Sequence, residues 1–184
     1  MRLAWRAFWL LAVAALQAST ADAAVVLALD LADMTGAAQV VAEIEVTRTH
    51  SRRLASGQIV TDVEAVVLEG IKGAVDGEDL VLFTEGGIAG GIGANVPGEP
   101  RLRAGDRVVA FLEPAGEGLR FVGMSQGCFR VIESPTGAVV RPGGAGLVLV
   151  RRTPAGLRPA GPALAAPRAL STFLDEVRAL AAAR

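Results

Sequence analysis

His50 is the only histidine in this 184-residue chain, and Ser51 follows it directly. A histidine within hydrogen-bond distance of a hydroxyl or thiol forms the minimal pair for nucleophilic hydrolysis, with the imidazole as the general base. Any hydrolase scheme of this kind must therefore depend on His50. No catalytic motif surrounds the residue, and it falls in a polar stretch predicted to connect two strands, so a solvated loop residue is the favoured interpretation.

Cys128 is the only cysteine, which excludes an intramolecular disulfide. In a strand it shares a face with Arg130, while Phe129 shares the other face with Val131. If the Phe129 face is the core, Cys128 lies near the surface as a possible reactive thiol; burial is the commoner fate of a free cysteine. One histidine and one cysteine cannot form the usual closed zinc site, so no metal or cofactor is predicted.

Two further features are candidates for a chemical role: a cluster of carboxylates and the single lysine. Asp76, Glu78 and Asp79 carry oxygen ligands, but they match no complete calcium loop, and a solvated turn is preferred. Lys72 is the only lysine, and a buried lysine can be catalytic. Its place between Ile71 and Gly73 in a turn predicts a side chain that faces water.

The glycine-rich segment 85–100 is the most unusual part of the chain. Clustered backbone N–H groups can bind anions, but the segment lacks the lysine ending of a P-loop and no helix pattern follows it. A connection held close to neighbouring backbone is therefore favoured over a nucleotide site. Loops on a rigid scaffold commonly carry recognition, so this segment and the adjoining turn are the predicted partner-binding surface. Its named residues are Gly86, Gly87, Gly90, Gly91, Asn95, Arg101 and Arg103.

The composition argues against nucleic acid as the partner. The chain has 18 basic and 19 acidic residues, no tyrosine and only two tryptophans, Trp5 and Trp9. Proteins that bind nucleic acid usually present a basic face or stacking aromatic side chains. A protein or peptide is the predicted partner.

The amino terminus has the pattern of a secretory signal peptide. Arg2 and Arg6 precede an apolar stretch at 7–16, and Ala21 and Ala23 stand at the two positions that signal peptidase recognises. The apolar stretch is shorter than the roughly 20 residues that a membrane span needs, so a retained anchor is the weaker alternative. We expect cleavage after Ala23 and export to the periplasm or the medium, without a stable membrane anchor.

Both tryptophans lie in the predicted leader, and about 160 residues remain after it, a length that suits one domain. The run 39–47 alternates between an apolar face and a face with Glu43 in water, which predicts a half-exposed strand. The run 107–113 is apolar throughout and predicts a strand buried on both faces. The other predicted strands are 58–69, 79–84, 119–123, 128–133 and 138–141, with a possible last strand at 147–150.

The predicted organisation has four parts: the signal peptide 1–23, a β domain at 24–140, an extended Pro- and Gly-rich segment at 141–168, and a helix at 169–184. Apolar residues recur at helix spacing in the last part, and Ser171 or Thr172 is expected to cap it. This amphipathic helix should dock on the β domain or on a partner.

Five to seven short strands without intervening helices predict a mainly β protein, a small OB-like Greek-key barrel with a C-terminal helix. The order of strands and turn glycines resembles exported bacterial proteins of uncharacterised function and, more distantly, the netrin-like module, the OB-type barrel of tissue inhibitors of metalloproteinases. The resemblance covers roughly 40–131. The segments that carry it are 59–61, 68–73, Gly86-Gly87, Val96-Pro97-Gly98, Ala104-Gly105-Asp106 and 109–112.

Those inhibitors bind the protease zinc through a disulfide-held amino-terminal cysteine. The predicted mature chain begins at Ala24 and has no disulfide, so that mechanism does not carry over. The function expected from the sequence is a non-enzymatic exported module that binds a protein or peptide. The alternatives are an accessory or inhibitor of a secreted protease and, less favoured, a hydrolase that depends on His50.

Overall fold

The computed structural model describes residues 23–116, 118–143, 146–164 and 166–183. The predicted leader lies outside this range apart from Ala23, so its cleavage stays a prediction. The described residues form two α-helices, α1 (Leu31–Ala37) and α2 (Leu170–Ala182), one short 3₁₀ helix (Met124–Gly127) and thirteen strands. The strands are β1 (Ala24–Leu27), β2 (Val40–Arg53), β3 (Ile59–Lys72), β4 (Asp79–Glu85), β5 (Gly87–Ala89), β6 (Ile92–Ala94), β7 (Arg107–Ala115), β8 (Gly118–Phe121), β9 (Cys128–Ile132), β10 (Val139–Pro142), β11 (Leu147–Thr153), β12 (Gly156–Pro159) and β13 (Arg168–Ala169).

Five of these strands close into a small barrel. In space they follow the order β7-β2-β3-β4-β8, and β8 pairs again with β7. All neighbours are antiparallel except β4 and β8, which meet in parallel at Leu82 and Leu119. This is the partly open Greek-key arrangement of an OB-type barrel, with the first strand beside the fourth and the third beside the fifth. The predicted fold class is confirmed: the protein is mainly β, an OB-like barrel with a C-terminal helix.

The two longest strands, β2 and β3, have 14 residues each and supply the curvature of the barrel. Their pairing register shifts at three places, between Val41 and Ala42, between Glu43 and Ile44, and between Val46 and Arg48. Such bulges bend a strand and increase its twist, which lets a sheet of few strands close on itself.

Strand β7 contributes to two separate cores. Val108, Ala110 and Leu112 point into the barrel, whereas Val109 and Phe111 point outward and are also fully buried. The outward face is covered by α1, α2 and the loop segments that carry them. The predicted burial of this strand on both faces is confirmed.

Helix α2 packs on the outside of the barrel through aromatic contacts, as its apolar stripe predicts. Phe129 lies between Phe111 and Phe173, with ring centroids at 5.6 Å and 4.8 Å. The predicted cap is wrong: Ala169 is the N-cap residue, and no side chain caps this end.

The second layer explains where the sequence predictions differ from the structure in the first half of the chain. Glu43 was expected to face water, but the second core lies on this side of β2 at Val41, and Glu43 is only 5% exposed and paired with Arg107 at 2.6 Å. The helix α1 was not predicted. Residues 50–53 were expected in a loop but belong to β2, because long-range pairing with β3 continues to Arg53.

The segment 141–168 was expected to be an extended connection. It holds instead β11, β12 and β13, and the possible strand at 147–150 is confirmed within β11. β11 pairs antiparallel with β12 and parallel with β1, so the first described strand and two strands from the 141–168 segment form one three-stranded sheet.

Candidate functional site

A cleft of about 510 Å³ lies where the β5–β6 hairpin overhangs the barrel. We call it the hairpin cleft. Its floor includes Thr49 and Ser51 of β2 and Thr61 of β3, and its wall is the hairpin and the loop that follows. The residues of the predicted surface that line it are Gly86, Gly87, Asn95, Arg101 and Arg103. The structure thus brings five of the seven predicted residues to one cleft.

The other two, Gly90 and Gly91, lie at the tip of the hairpin and do not line the cleft. Both have positive φ, 58° and 77°, as a two-residue type I′ hairpin turn requires. The tip therefore depends on glycine for its conformation, and it holds β5 and β6 in the register that places Ile88 opposite Gly93.

The root of the hairpin is held against the barrel by hydroxyl groups. Thr61 Oγ1 donates to the carbonyl of Gly86 at 2.8 Å. Its single proton is then committed, so the 2.9 Å contact with Ser51 Oγ has Ser51 as the donor. Gly87 has φ of 125°, and a Cβ there would overlap both hydroxyl oxygens. Glycine is required at this position by close approach as well as by conformation.

Glu99 and Asn95 order the loop behind the hairpin. The Glu99 carboxylate accepts a hydrogen bond from the Glu85 N–H at 3.1 Å, and burial raises the pKa of this carboxyl group against the lowering effect of that bond. Asn95 Oδ1 accepts from the Arg101 guanidinium. Arg103 is exposed and makes no ion pair within the described part of the chain.

The hairpin exposes one large apolar side chain on each face. Ile88 is 74% exposed and lines the cleft; Ile92 is 53% exposed. Because the register pairs Ile88 with Gly93 and Ile92 with Ala89, the two isoleucines point to opposite sides. Neither contributes to the buried cores of the barrel.

Sequence reasoning missed the hydroxyl floor and Glu99. Thr49 and Ser51 lie beyond the predicted end of the strand at Thr47, and the bulge between Val46 and Arg48 turns them onto the face that period-2 counting from Val46 does not assign to them. Thr61 could not be joined to them by sequence alone, because their neighbourhood arises from the pairing of β2 with β3.

The structure argues against the predicted reactive thiol. Cys128 is 2% exposed and belongs to the barrel core, because β9 turns this side chain inward against β7. Burial raises the pKa of the thiol to about 12, which disfavours the thiolate that reacts or binds metal. The sequence alternative in which Cys128 is buried is the one observed.

His50 is exposed on β2, opposite Asp62 of β3. Ser51 points to the other face of the strand, where it contacts Thr61, so these neighbours do not form a Ser–His pair. Cys128 inside the barrel is equally out of reach. Within the described ranges, no three His, Cys, Asp or Glu side chains cluster so that they could hold a metal ion.

The remaining candidates have structural roles. Asp76 accepts from the N–H of Gly70 at 2.8 Å and Glu78 from that of Val75 at 3.0 Å, so both carboxylates stabilise the turn between β3 and β4. Lys72 was expected to face water, which is wrong. It donates to two carbonyls at the C-terminal end of α1, where a positive charge is favoured.

The helices were also checked for membrane-spanning character, and the chain was compared with known proteins. No described helix has the length and apolar character that a membrane crossing requires. The chain significantly matches no protein-family model, no curated protein and no solved structure.

Proposed function

We propose that this chain is an exported, non-enzymatic β-barrel module that binds a protein or peptide partner through the hairpin cleft and the exposed hairpin. The export part of the proposal is supported by the basic, apolar and small-residue pattern of residues 1–23. The binding part is supported by the site described above.

The exposed isoleucines of the hairpin are the observation that carries the proposal. Ile88 and Ile92 lie on a hairpin whose root is fixed to the barrel by Thr61 and Gly87, so the apolar groups are held in place rather than folded onto a core. Single exposed apolar residues are common on proteins, but one on each face of a hairpin that is fixed at its root beside a cleft suits burial against a partner.

The chemistry of the cleft suits an extended peptide. Thr61 and Ser51 have committed their protons but keep acceptor lone pairs for peptide N–H groups, and the Thr49 hydroxyl can donate to a peptide carbonyl. Among the described residues, β5 and β6 pair only with each other, so each keeps a free edge to which an extended segment can add as a further strand.

The placement of His50 supports a binding role over the hydrolase alternative. The imidazole is exposed on the face of β2 opposite to Ser51, and Cys128 is buried. If purified protein hydrolyses an ester or peptide and His50→Ala abolishes that activity without loss of structure, the hydrolase alternative replaces the proposal.

The test starts from the exported protein carrying a C-terminal tag. Chemical crosslinking in intact cells and mass identification would name the partner, and titration of the purified pair would give Kd. We expect the double substitution Ile88→Ser and Ile92→Ser to raise Kd at least about tenfold, which is about 1.4 kcal/mol. A secreted protease as partner would favour the accessory or inhibitor role.

The matched control is Val75→Ser. Val75 is 70% exposed in the turn at the opposite end of β4 from the hairpin. Equal loss of affinity in the control and in the double variant would contradict the proposed surface.

Export has its own test. Protein recovered from the envelope or medium should begin at Ala24 by amino-terminal sequencing and should show no tryptophan fluorescence, because Trp5 and Trp9 lie in the leader. Tryptophan emission from that material would show that the leader is retained.

A further inference from the structure

A second cleft of about 590 Å³ lies on the other side of the segment 95–101 from the hairpin cleft. Three arginines from separate elements line it: Arg101 of the loop, Arg130 of β9 and Arg141 of β10. We call it the arginine cleft. Its lining combines a guanidinium cluster with the backbone of several glycines, a combination that the partner surface predicted from the sequence did not include.

The strand register places two of these positively charged residues in directly opposite positions. Arg130 and Arg141 are directly opposite in the antiparallel pair of β9 and β10, so their side chains leave the sheet on the same face. Like charges in this relation destabilise a sheet. The fold thus places the two side chains next to each other on one face, and an anion between the guanidinium groups would remove the repulsion.

Neutralisation by the protein itself is incomplete. Arg130 pairs with Asp106 at 2.9 Å and also donates to the carbonyl of Arg101. Arg141 and Arg101 form no ion pair with a carboxylate in the part of the chain that the structure describes. The stretch 134–169 has five arginines and no acidic residue, so no carboxylate near Arg141 in sequence is available to it.

A buried hydroxyl at the same cleft lacks a partner. Ser125 is 4% exposed and lines the cleft, and its Oγ makes no hydrogen bond within the described ranges. Buried hydroxyl groups are nearly always paired. A ligand acceptor atom that reaches Ser125 Oγ would satisfy this donor.

We infer that the arginine cleft binds a carboxylate group, through guanidinium groups of Arg130 and Arg141 with Arg101 at the rim. Arginine presents a planar fork of donors that matches the two oxygens of a carboxylate. The carboxylate belongs either to a small organic acid or to the C-terminus of a peptide. The site shares Asn95, Glu99 and Arg101 with the hairpin cleft, but Arg130 and Arg141 line only the arginine cleft, and the inference does not rest on the proposed function.

The local charge balance favours a carboxylate over a phosphate. Against the three arginines stand Glu99, which lines the cleft, and Asp106, which pairs with Arg130. One positive charge is thus left over, which a monoanion neutralises. A phosphate dianion carries one negative charge more than the cleft can neutralise, so it would be repelled by the carboxylates of Glu99 and Asp106.

The experiment titrates the full protein at low salt with four probes: acetate, acetyl-trialanine with a free carboxylate, the same peptide as its C-terminal amide, and inorganic phosphate. Binding is followed by backbone amide shifts. We expect saturable binding of both carboxylates at the cleft and none of the amide. Equal affinity for acetate and the acid peptide would indicate a small organic acid; tighter binding of the peptide would indicate a peptide C-terminus.

Arg141→Gln should raise the Kd for acetyl-trialanine at least about fivefold. It should also raise the thermal midpoint of the free protein, since it removes the repulsion with Arg130. Arg141→Lys should recover part of the affinity. The matched control is Arg151→Gln, because Arg151 is an exposed strand arginine that does not line the cleft.

Three results would overturn the assignment. The first is that phosphate binds more tightly than either carboxylate. The second is that Arg151→Gln raises the Kd for acetyl-trialanine as much as Arg141→Gln does. The third is that the folded protein shows no saturable binding of any carboxylate. A lowered thermal midpoint in Arg141→Gln with unchanged affinity would show that this arginine has only a structural role.

Discussion

The barrel and the hairpin that overhangs it are built from strands of different kinds. β2 and β3 have 14 residues each, and β2 is buried on both faces for most of its first half, whereas β5 and β6 have three residues each and expose their apolar side chains. The barrel is stabilised by apolar burial in two layers. The hairpin is positioned by a few hydroxyl contacts, a glycine turn and one close approach.

The difference teaches how stability and recognition are divided in this molecule. Removing a buried side chain from the barrel should destabilise it strongly, while changing a hairpin side chain should leave the fold and alter only what the hairpin contacts. Four substitutions break or sharpen this contrast. Because the chain has no tyrosine and both tryptophans lie in the predicted leader, unfolding is best followed by circular dichroism.

Phe129→Ala should have the largest effect, about 3–5 kcal/mol of unfolding free energy. Phe129 is 1% exposed and joins Phe111 of the barrel to Phe173 of α2, so its loss opens a cavity between two layers. Urea unfolding measures the change. Ile88→Ala is the control and should stay within about 0.5 kcal/mol. A similar loss in both variants would contradict the contrast, and Phe129→Leu gives a milder version if the alanine variant does not fold.

Gly87→Ala should destabilise by about 1–3 kcal/mol, because φ of 125° is strained for alanine and its Cβ would overlap the hydroxyls of Ser51 and Thr61. The loss should be accompanied by faster amide exchange throughout the hairpin. Gly93→Ala is the matched control: the nearest atom to its added Cβ is 4.0 Å away, on Ile88. If Gly93→Ala is as destabilising as Gly87→Ala, the close approach is not the cause.

Lys72→Met should cost about 1–2 kcal/mol. The substitution keeps the apolar stem but removes the donors to the carbonyls of Thr35, at 2.8 Å, and Ala38, at 2.6 Å. Amide exchange should speed up in α1 and stay unchanged in the hairpin. Unchanged protection of α1 would show that these bonds contribute nothing to its docking.

Glu99→Gln should have the smallest effect, and its sign should depend on pH. Burial raises the pKa of Glu99 in the folded state, so the folded protein holds the proton more tightly than the unfolded chain. The stabilisation is complete below about pH 4, near the ordinary carboxyl pKa, and is lost as pH rises through the raised pKa. Glutamine can still accept from the Glu85 N–H but never ionises.

The variant should therefore gain stability relative to the wild type between acid and neutral pH. Thermal midpoints at several pH values measure the difference, with Glu45→Gln, on β2 and outside the cleft, as the control. A difference between Glu99→Gln and wild type that is constant with pH would contradict the raised pKa.

The barrel strands were predictable because alternation along a strand is a local property. The apolar face of β2 at Val40, Ala42, Ile44 and Val46 and the continuous run of β7 appear in the sequence as they appear in the fold. The pattern predicted too few strands, because β5, β6 and β12 are short and β1 has no periodicity of its own to distinguish it.

The candidate site was half predictable. Loop composition located Gly86, Gly87, Asn95, Arg101 and Arg103, which do line one cleft. The hydroxyl floor comes from β2 and β3, and the pairing that joins Ser51 to Thr61 follows from a register that bulges alter along the sheet. The pairing register of β2 and β3 cannot be predicted from residue types alone, because closure of the barrel sets the positions of its shifts.

By itself, the sequence determined the class of fold, most of the barrel strands and the pattern of an export leader, because these depend on neighbouring residues along the chain. Only the tertiary structure decided that Cys128 is buried, that Lys72 holds α1, and that Arg130 meets Arg141. These outcomes depend on which strands pair and which face receives the second layer of helices. Such choices are made by packing between distant segments, where the free energy of burial exceeds local preference.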